Sequence, residues 1–197
     1  MNKFLFRKEV LVIWGIIEVI LGIIAAVMLA KKLPYEPQGT IIDSTFLSNL
    51  VQFKYYDAFQ DTAVGLLAFF SIGLITCTVG YVKSKRKNSK PMHEKIIVMG
   101  VIFAPLAGIG IFTTPINKNL SIKSDQPAFV QSEFLVDKNL SKSRKSTYYY
   151  FTFSSGSRKE VKKDEYFVTP LGKIFYIAYQ GNLPIGFYPA DKFILKL

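Results

Sequence analysis

One Cys and one His among 197 residues leave this chain carboxylates, hydroxyls and lysines as its main chemical groups. Disulfide frameworks, Cys/His zinc sites and multi-His metal centres are excluded on that count. The most distinctive of the remaining groups is Glu18, an acid inside the apolar stretch 10–30 with no Lys or Arg beside it in that stretch. Low dielectric disfavours a bare carboxylate there, so Glu18 is expected to be protonated or hydrogen-bonded. Two functions suit such a residue: a proton or cation site, or a hydrogen bond that fastens two helices. Depth matching places its partners between Ser71 and Thr78, with Ser71 and Thr76 as the candidates and Thr76 preferred.

The other reactive side chains carry less. Cys77 lies in a second apolar stretch, where it reads as a small packing residue, and His93 lies in a basic polar segment, where it reads as solvated. No phosphate loop, dinucleotide fingerprint, HExxH or nucleophile elbow is present. The expectation is therefore a non-enzymatic protein with no catalytic residues, no metal and no cofactor.

Three apolar blocks, 10–30, 62–82 and 96–113, set the frame that would hold Glu18. As helices they measure about 27–32 Å, the thickness of a bilayer's hydrocarbon core, so all three are expected to span a membrane. The first is too long for a signal-peptide core and ends in a poor cleavage site, Met28-Leu29-Ala30, so it reads as a retained anchor. Lys and Arg crowd the tail 1–9 and the loop 83–95, which puts both in the cytoplasm; the loop 31–61 and residues 114–197 then lie outside. Helix packing in lipid depends on small residues. Gly22, Ala26 and Ala30 in the first block and Gly100, Ala104 and Gly108 in the third recur every four residues, which predicts a contact between those two helices. Pro105 predicts a bend in the third.

In the outer loop, Pro34, Pro37 and Gly39 stop the first helix. Asp43 or Ser44 then caps an expected interfacial helix over 44–60, with Phe46, Leu47, Leu50 and Phe53 on one side and Tyr55, Tyr56 and Phe59 at headgroup level.

Residues 114–197 change to a strand-like pattern. Strands are predicted at 128–136, 147–153, 158–162, 173–179, 183–188 and 192–197, separated by turns such as Ser154-Ser155-Gly156-Ser157 and Gln180-Gly181-Asn182. Two hairpins joined through Asp164-Glu165-Tyr166 suggest a small curled sheet or partly open barrel. Alternation turns Phe151 and Phe153 one way with Tyr149, and Tyr148 and Tyr150 the other way, where they are candidates for a contact surface. The net charge of +11 is partly concentrated at Lys142, Arg144 and Lys145 and at Arg158, Lys159, Lys162 and Lys163, which would meet anionic lipid or an acidic envelope polymer. An outward location argues against nucleic acid.

The sequence thus predicts an α+β membrane protein: three transmembrane helices in 10–113 followed by a small extracytoplasmic antiparallel β domain in 114–197. Its expected setting is a bacterial cell membrane. Its expected role is an accessory or assembly component of an envelope complex, working with a membrane-protein partner or as a homo-oligomer. Two alternatives stand beside it, a small transporter or ion-coupled subunit using Glu18, and a sensor or protective protein that binds an external ligand through the β domain.

Overall fold

The computed structural model describes residues 8–84, 101–110, 121–144 and 146–196. Its elements run, in chain order, α1 (Lys8–Lys32), β1 (Ile41–Ile42), α2 (Ser44–Ser84), α3 (Val101–Gly110), β2 (Phe129–Lys142), β3 (Thr147–Phe153), β4 (Arg158–Val161), α4 (Lys163–Val168), β5 (Ile174–Gln180), β6 (Leu183–Pro189) and β7 (Ile194–Leu195). They divide into two compact units, one of Met1–Pro34 with Tyr55–Ser121, the other of Tyr35–Lys54 with Ile122–Leu197.

The first unit is helical. Two helices of the chain are long and apolar enough to cross a membrane, Lys8–Tyr35 and Ser44–Val82, the second of them beginning in the other unit. The stretches expected at 44–60 and 62–82 form one continuous α2, since no Gly or Pro separates them and Thr62 returns its hydroxyl to the Ala58 carbonyl of the same helix. The third apolar block is described only over Val101–Gly110, and the loop 85–95 lies outside the described residues.

Helix contacts follow a different seam from the one that the small residues predict. The indole of Trp14 on α1 lies against Gly73 on α2, so close that a Cβ there would come within 2.6 Å of the ring, and Trp14 also meets Phe70 at 5.3 Å between centroids. Gly108 likewise faces Phe69 of α2 rather than α1. Gly22 has open space beside it and Ala26 and Ala30 are exposed; Ala104 is half-buried, and Gly100 lies outside the described residues. Among the described residues, aromatic rings are set over Gly73 and Gly108 of neighbouring helices, and α1 meets α3 where Val101 packs with Val10, Leu11 and Trp14. A large flat ring over a glycine buries more surface than two small residues meeting each other. Cys77 and Val101 are buried among Val10, Leu11 and Trp14. An ion pair of 2.7 Å joins Lys32 to Asp57, and Lys31 lies over the Tyr56 ring.

The second unit is a five-stranded antiparallel sheet in the order β4-β3-β2-β5-β6. β2 serves both sides: Phe129–Phe134 pairs with β5, and from Leu135 onward the strand pairs with β3 after an irregularity between Leu135 and Asp137. Such a bulge bends the strand and sharpens its twist. The sheet curls until its edges approach, with Phe153 of β3 stacked on Phe187 of β6 at 5.3 Å and Lys159 of β4 over that same ring. The result is a nearly closed sheet around Leu135, Phe151, Phe153, Val161, Phe175, Ile177 and Tyr179. Full burial of each large apolar side chain contributes about 1.5–3 kcal/mol, which makes this aromatic cluster the main source of cohesion in the unit.

A small domain has too little interior of its own, and this one takes part of its core from residues 35–54. β1 adds to β7 in parallel, with Ile41 opposite Ile194 and Ile42 opposite Leu195. Asp43 then caps α2, its carboxylate accepting the Phe46 N–H at 2.7 Å. That cap starts the helix with Phe46, Leu47, Leu50 and Val51 turned inward and buried. The apolar side expected to lie on a lipid surface is therefore packed within the unit.

Candidate functional site

Ser71 donates its hydroxyl to Glu18 Oε2 at 3.1 Å, so α1 and α2 do bring together the acid and one of its two candidate partners. Thr76, the preferred candidate, does not take part. Its hydroxyl goes back to the Ile72 and Gly73 carbonyls of its own helix, the ordinary destination of a Thr with no polar neighbour in an apolar setting. The other carboxylate oxygen, Glu18 Oε1, is buried and has no hydrogen-bond partner among the described residues. Among the described residues this is an acid with one hydroxyl donor and neither a cation nor a second carboxylate paired with it.

The β unit holds a second buried acid that sequence reasoning missed. Glu133 is 3 % exposed and points inward from β2, in step with Leu135. Tyr179 donates its hydroxyl to Oε1, while Oε2 accepts both the backbone N–H of Ser155, at 3.1 Å, and its hydroxyl. Ser157 adds a hydroxyl contact of 2.7 Å to Tyr179 and another of 2.9 Å to Ser155. Burial raises the Tyr179 phenol above its ordinary range, and the hydrogen bond to Glu133 raises it further. Several donors converging on one carboxylate compensate its burial without a counter-ion. The arrangement clamps the β3–β4 turn onto β2 and β5. Alternation alone gave no signal for it: Phe134 and Val136 are the apolar pair, and only the structure turns them outward and Glu133 inward.

The predicted contact surface is outward but dispersed. Tyr148 is exposed and Tyr150 half-buried beneath the Arg158 guanidinium, 5.1 Å from its ring. Lys142, Arg144, Lys162 and Lys163 are exposed; Lys159 is half-buried and pairs with Glu165 at 3.4 Å, and Lys145 lies outside the described residues.

More conspicuous is an apolar strip on the outer face of the sheet. Phe134 and Ile174 stand opposite each other in register and are 52 % and 47 % exposed. Val136 and Leu171 continue the strip at 50 % and 59 %. Leu171 is brought alongside by the Gly172 N–H, which donates to the Leu135 carbonyl at 2.8 Å. A run of large apolar side chains in open view marks an interaction surface more often than isolated ones do.

Among the described residues no three His, Cys, Asp or Glu side chains gather as a metal site would require. Fold and polar groups together define a protein with two long apolar helices and a nearly closed antiparallel β unit. No family model, no curated protein and no solved structure matches the chain.

Proposed function

We propose that this chain is a non-enzymatic integral membrane protein, an accessory or assembly component of a cell-envelope complex that displays its β unit outside the membrane. In this reading the three apolar blocks are spans, and the tail 1–9 and the basic loop 83–95 are cytoplasmic. The low burial of the helices supports it: only 6 % of the most apolar stretch of the first helix and 22 % of that of the second are covered by the protein itself, where a soluble core helix would be mostly covered.

The observation that carries the partner role is the strip of Phe134, Val136, Leu171 and Ile174. Its exposed face is what a docked protein would cover, whereas the buried Glu133 cluster is satisfied internally and turned away from solvent. The test is affinity purification of the full chain at native expression from membranes in mild detergent. A stoichiometric partner is expected with the native chain, and its loss with Phe134→Asp/Ile174→Asp. A solitary monomer would overturn the proposal.

A second reading, proton or cation coupling, rests on the unpartnered Oε1 of Glu18. It requires Glu18→Gln to abolish a transport or growth phenotype. An unchanged phenotype removes it.

A further inference from the structure

The segment that the β unit takes from residues 35–54 forms, with β6 and the chain after it, a groove of about 280 Å³. Phe46 of α2 meets Tyr188 of β6 edge-on at 5.2 Å, and Tyr188 meets Phe193 at 4.9 Å, so these three rings with Phe53 and Leu50 make an apolar lining. One acid and one base also line it, Glu36 and Lys54, and neither side chain is ion-paired among the described residues. Opposite charges left open on an aromatic lining fit a zwitterion whose cation is an ammonium. The ammonium is drawn by the carboxylate and ring faces, while the Lys54 ammonium suits a phosphate.

The position of Lys54 narrows the source. It directly precedes Tyr55 and Tyr56 on α2, and Tyr55 packs against Phe59 one turn later at 5.0 Å. About two turns further on, from Thr62, the helix becomes apolar, and aromatic residues ahead of such a transition mark the headgroup layer of a bilayer. We propose that the groove binds the headgroup of a zwitterionic phospholipid, phosphoethanolamine, with its ammonium at Glu36 and its phosphate at Lys54. The groove holds a headgroup and not a diacyl lipid, whose chains stay in the bilayer. This proposal rests on the membrane reading above.

The test uses full-length protein in detergent with equal amounts of dioleoyl phosphatidylethanolamine and dioleoyl phosphatidylglycerol, and native mass spectrometry to count bound lipid. The expected result is a single ethanolamine-lipid adduct favoured about tenfold, and a loss of about that factor in Glu36→Gln, the size of one charge-assisted hydrogen bond. Glu36→Lys is expected to turn the preference toward the glycerol lipid, since it replaces the anion by a cation. Equal uptake of both lipids, or ethanolamine-lipid uptake unchanged in Glu36→Gln, overturns the proposal. Alkaline carbonate washing of the source membranes separates the two failures. Release of the protein would sink the membrane reading and the headgroup site with it, while retention without a lipid preference would sink the site alone.

Discussion

The hydroxyl of Tyr179 on β5 donates to the buried carboxylate of Glu133 on β2, so two neighbouring strands are fastened from inside the sheet. Ser155, in the β3–β4 turn, binds the other oxygen of the same carboxylate. The nearly closed sheet therefore has a polar clasp where two strands and a turn converge. Removing the acid leaves the Ser155 N–H without its acceptor and Tyr179 with only its serine hydroxyl contacts, whereas removing the phenol takes away one donor among several. Glu133→Ala is expected to cost roughly 3 kcal/mol and Tyr179→Phe roughly 1–2 kcal/mol. Melting curves of the detergent-solubilised chain, followed by near-ultraviolet circular dichroism, check both. Equal losses would mean that the carboxylate is held by Tyr179 alone.

Alkaline pH should unfasten the same unit. Burial pushes Tyr188 up to about 12, and Tyr179 is raised by burial and by Glu133. Both phenols ionise near 10 in an unfolded chain. A raised folded value means that folding favours the protonated form, so this stability is fully present below pH 10 and is lost as pH climbs towards 12. The rise of Tyr188 to about 12 corresponds to roughly 2–3 kcal/mol. Tyr188→Phe should flatten the fall in melting temperature over that window, and a slope identical to the native one would sink the assignment.

Much of the β unit was legible because alternation and turn chemistry act locally. The strand edges at 147–153 and 183–188 and the two-residue turn at Gly181-Asn182, where Gly181 takes φ 57, follow from residue type. What was not legible depends on distant partners. Asp137–Lys142 is polar and gives no strand signal, yet it continues β2 because Thr147–Thr152 supplies a hydrogen-bonding edge. The short helix α4 lies in the expected connector, secured where Tyr166 packs on Tyr149 and Phe151. The apolar side of 44–54 was visible, but what it covers was set by β1 joining β7, a pairing of two residues far apart in sequence. Glu18 could be singled out from its surroundings, while the choice of Ser71 over Thr76 required the helices' rotation.

That choice gives a sharp contrast. Ser71→Ala removes the donor to Glu18, whereas Thr76→Val removes a hydroxyl that, among the described residues, binds only its own helix. Interhelical hydrogen bonds in membrane proteins average about 0.6 kcal/mol, with about 1.7 as the largest. A loss within that range is expected for Ser71→Ala and close to none for Thr76→Val, read from unfolding in mixed micelles. Similar losses for the two would place the contact elsewhere.

Trp14 is the only tryptophan in the chain, so its seat on Gly73 can be observed directly. Gly73→Ala would put a methyl within 2.6 Å of the indole, too close for any real contact, and the ring must leave its place against Phe70. Overpacking of this kind costs about 1–3 kcal/mol. The expected outcome is a shifted emission maximum and a lower melting temperature in Gly73→Ala. Gly22→Ala has open space at its Cβ and replaces a poor helix former, so it should leave the emission unchanged and stability equal or slightly higher. If Gly22→Ala perturbed the indole as strongly as Gly73→Ala, the helices would pack through the small-residue face of α1 and not through Trp14.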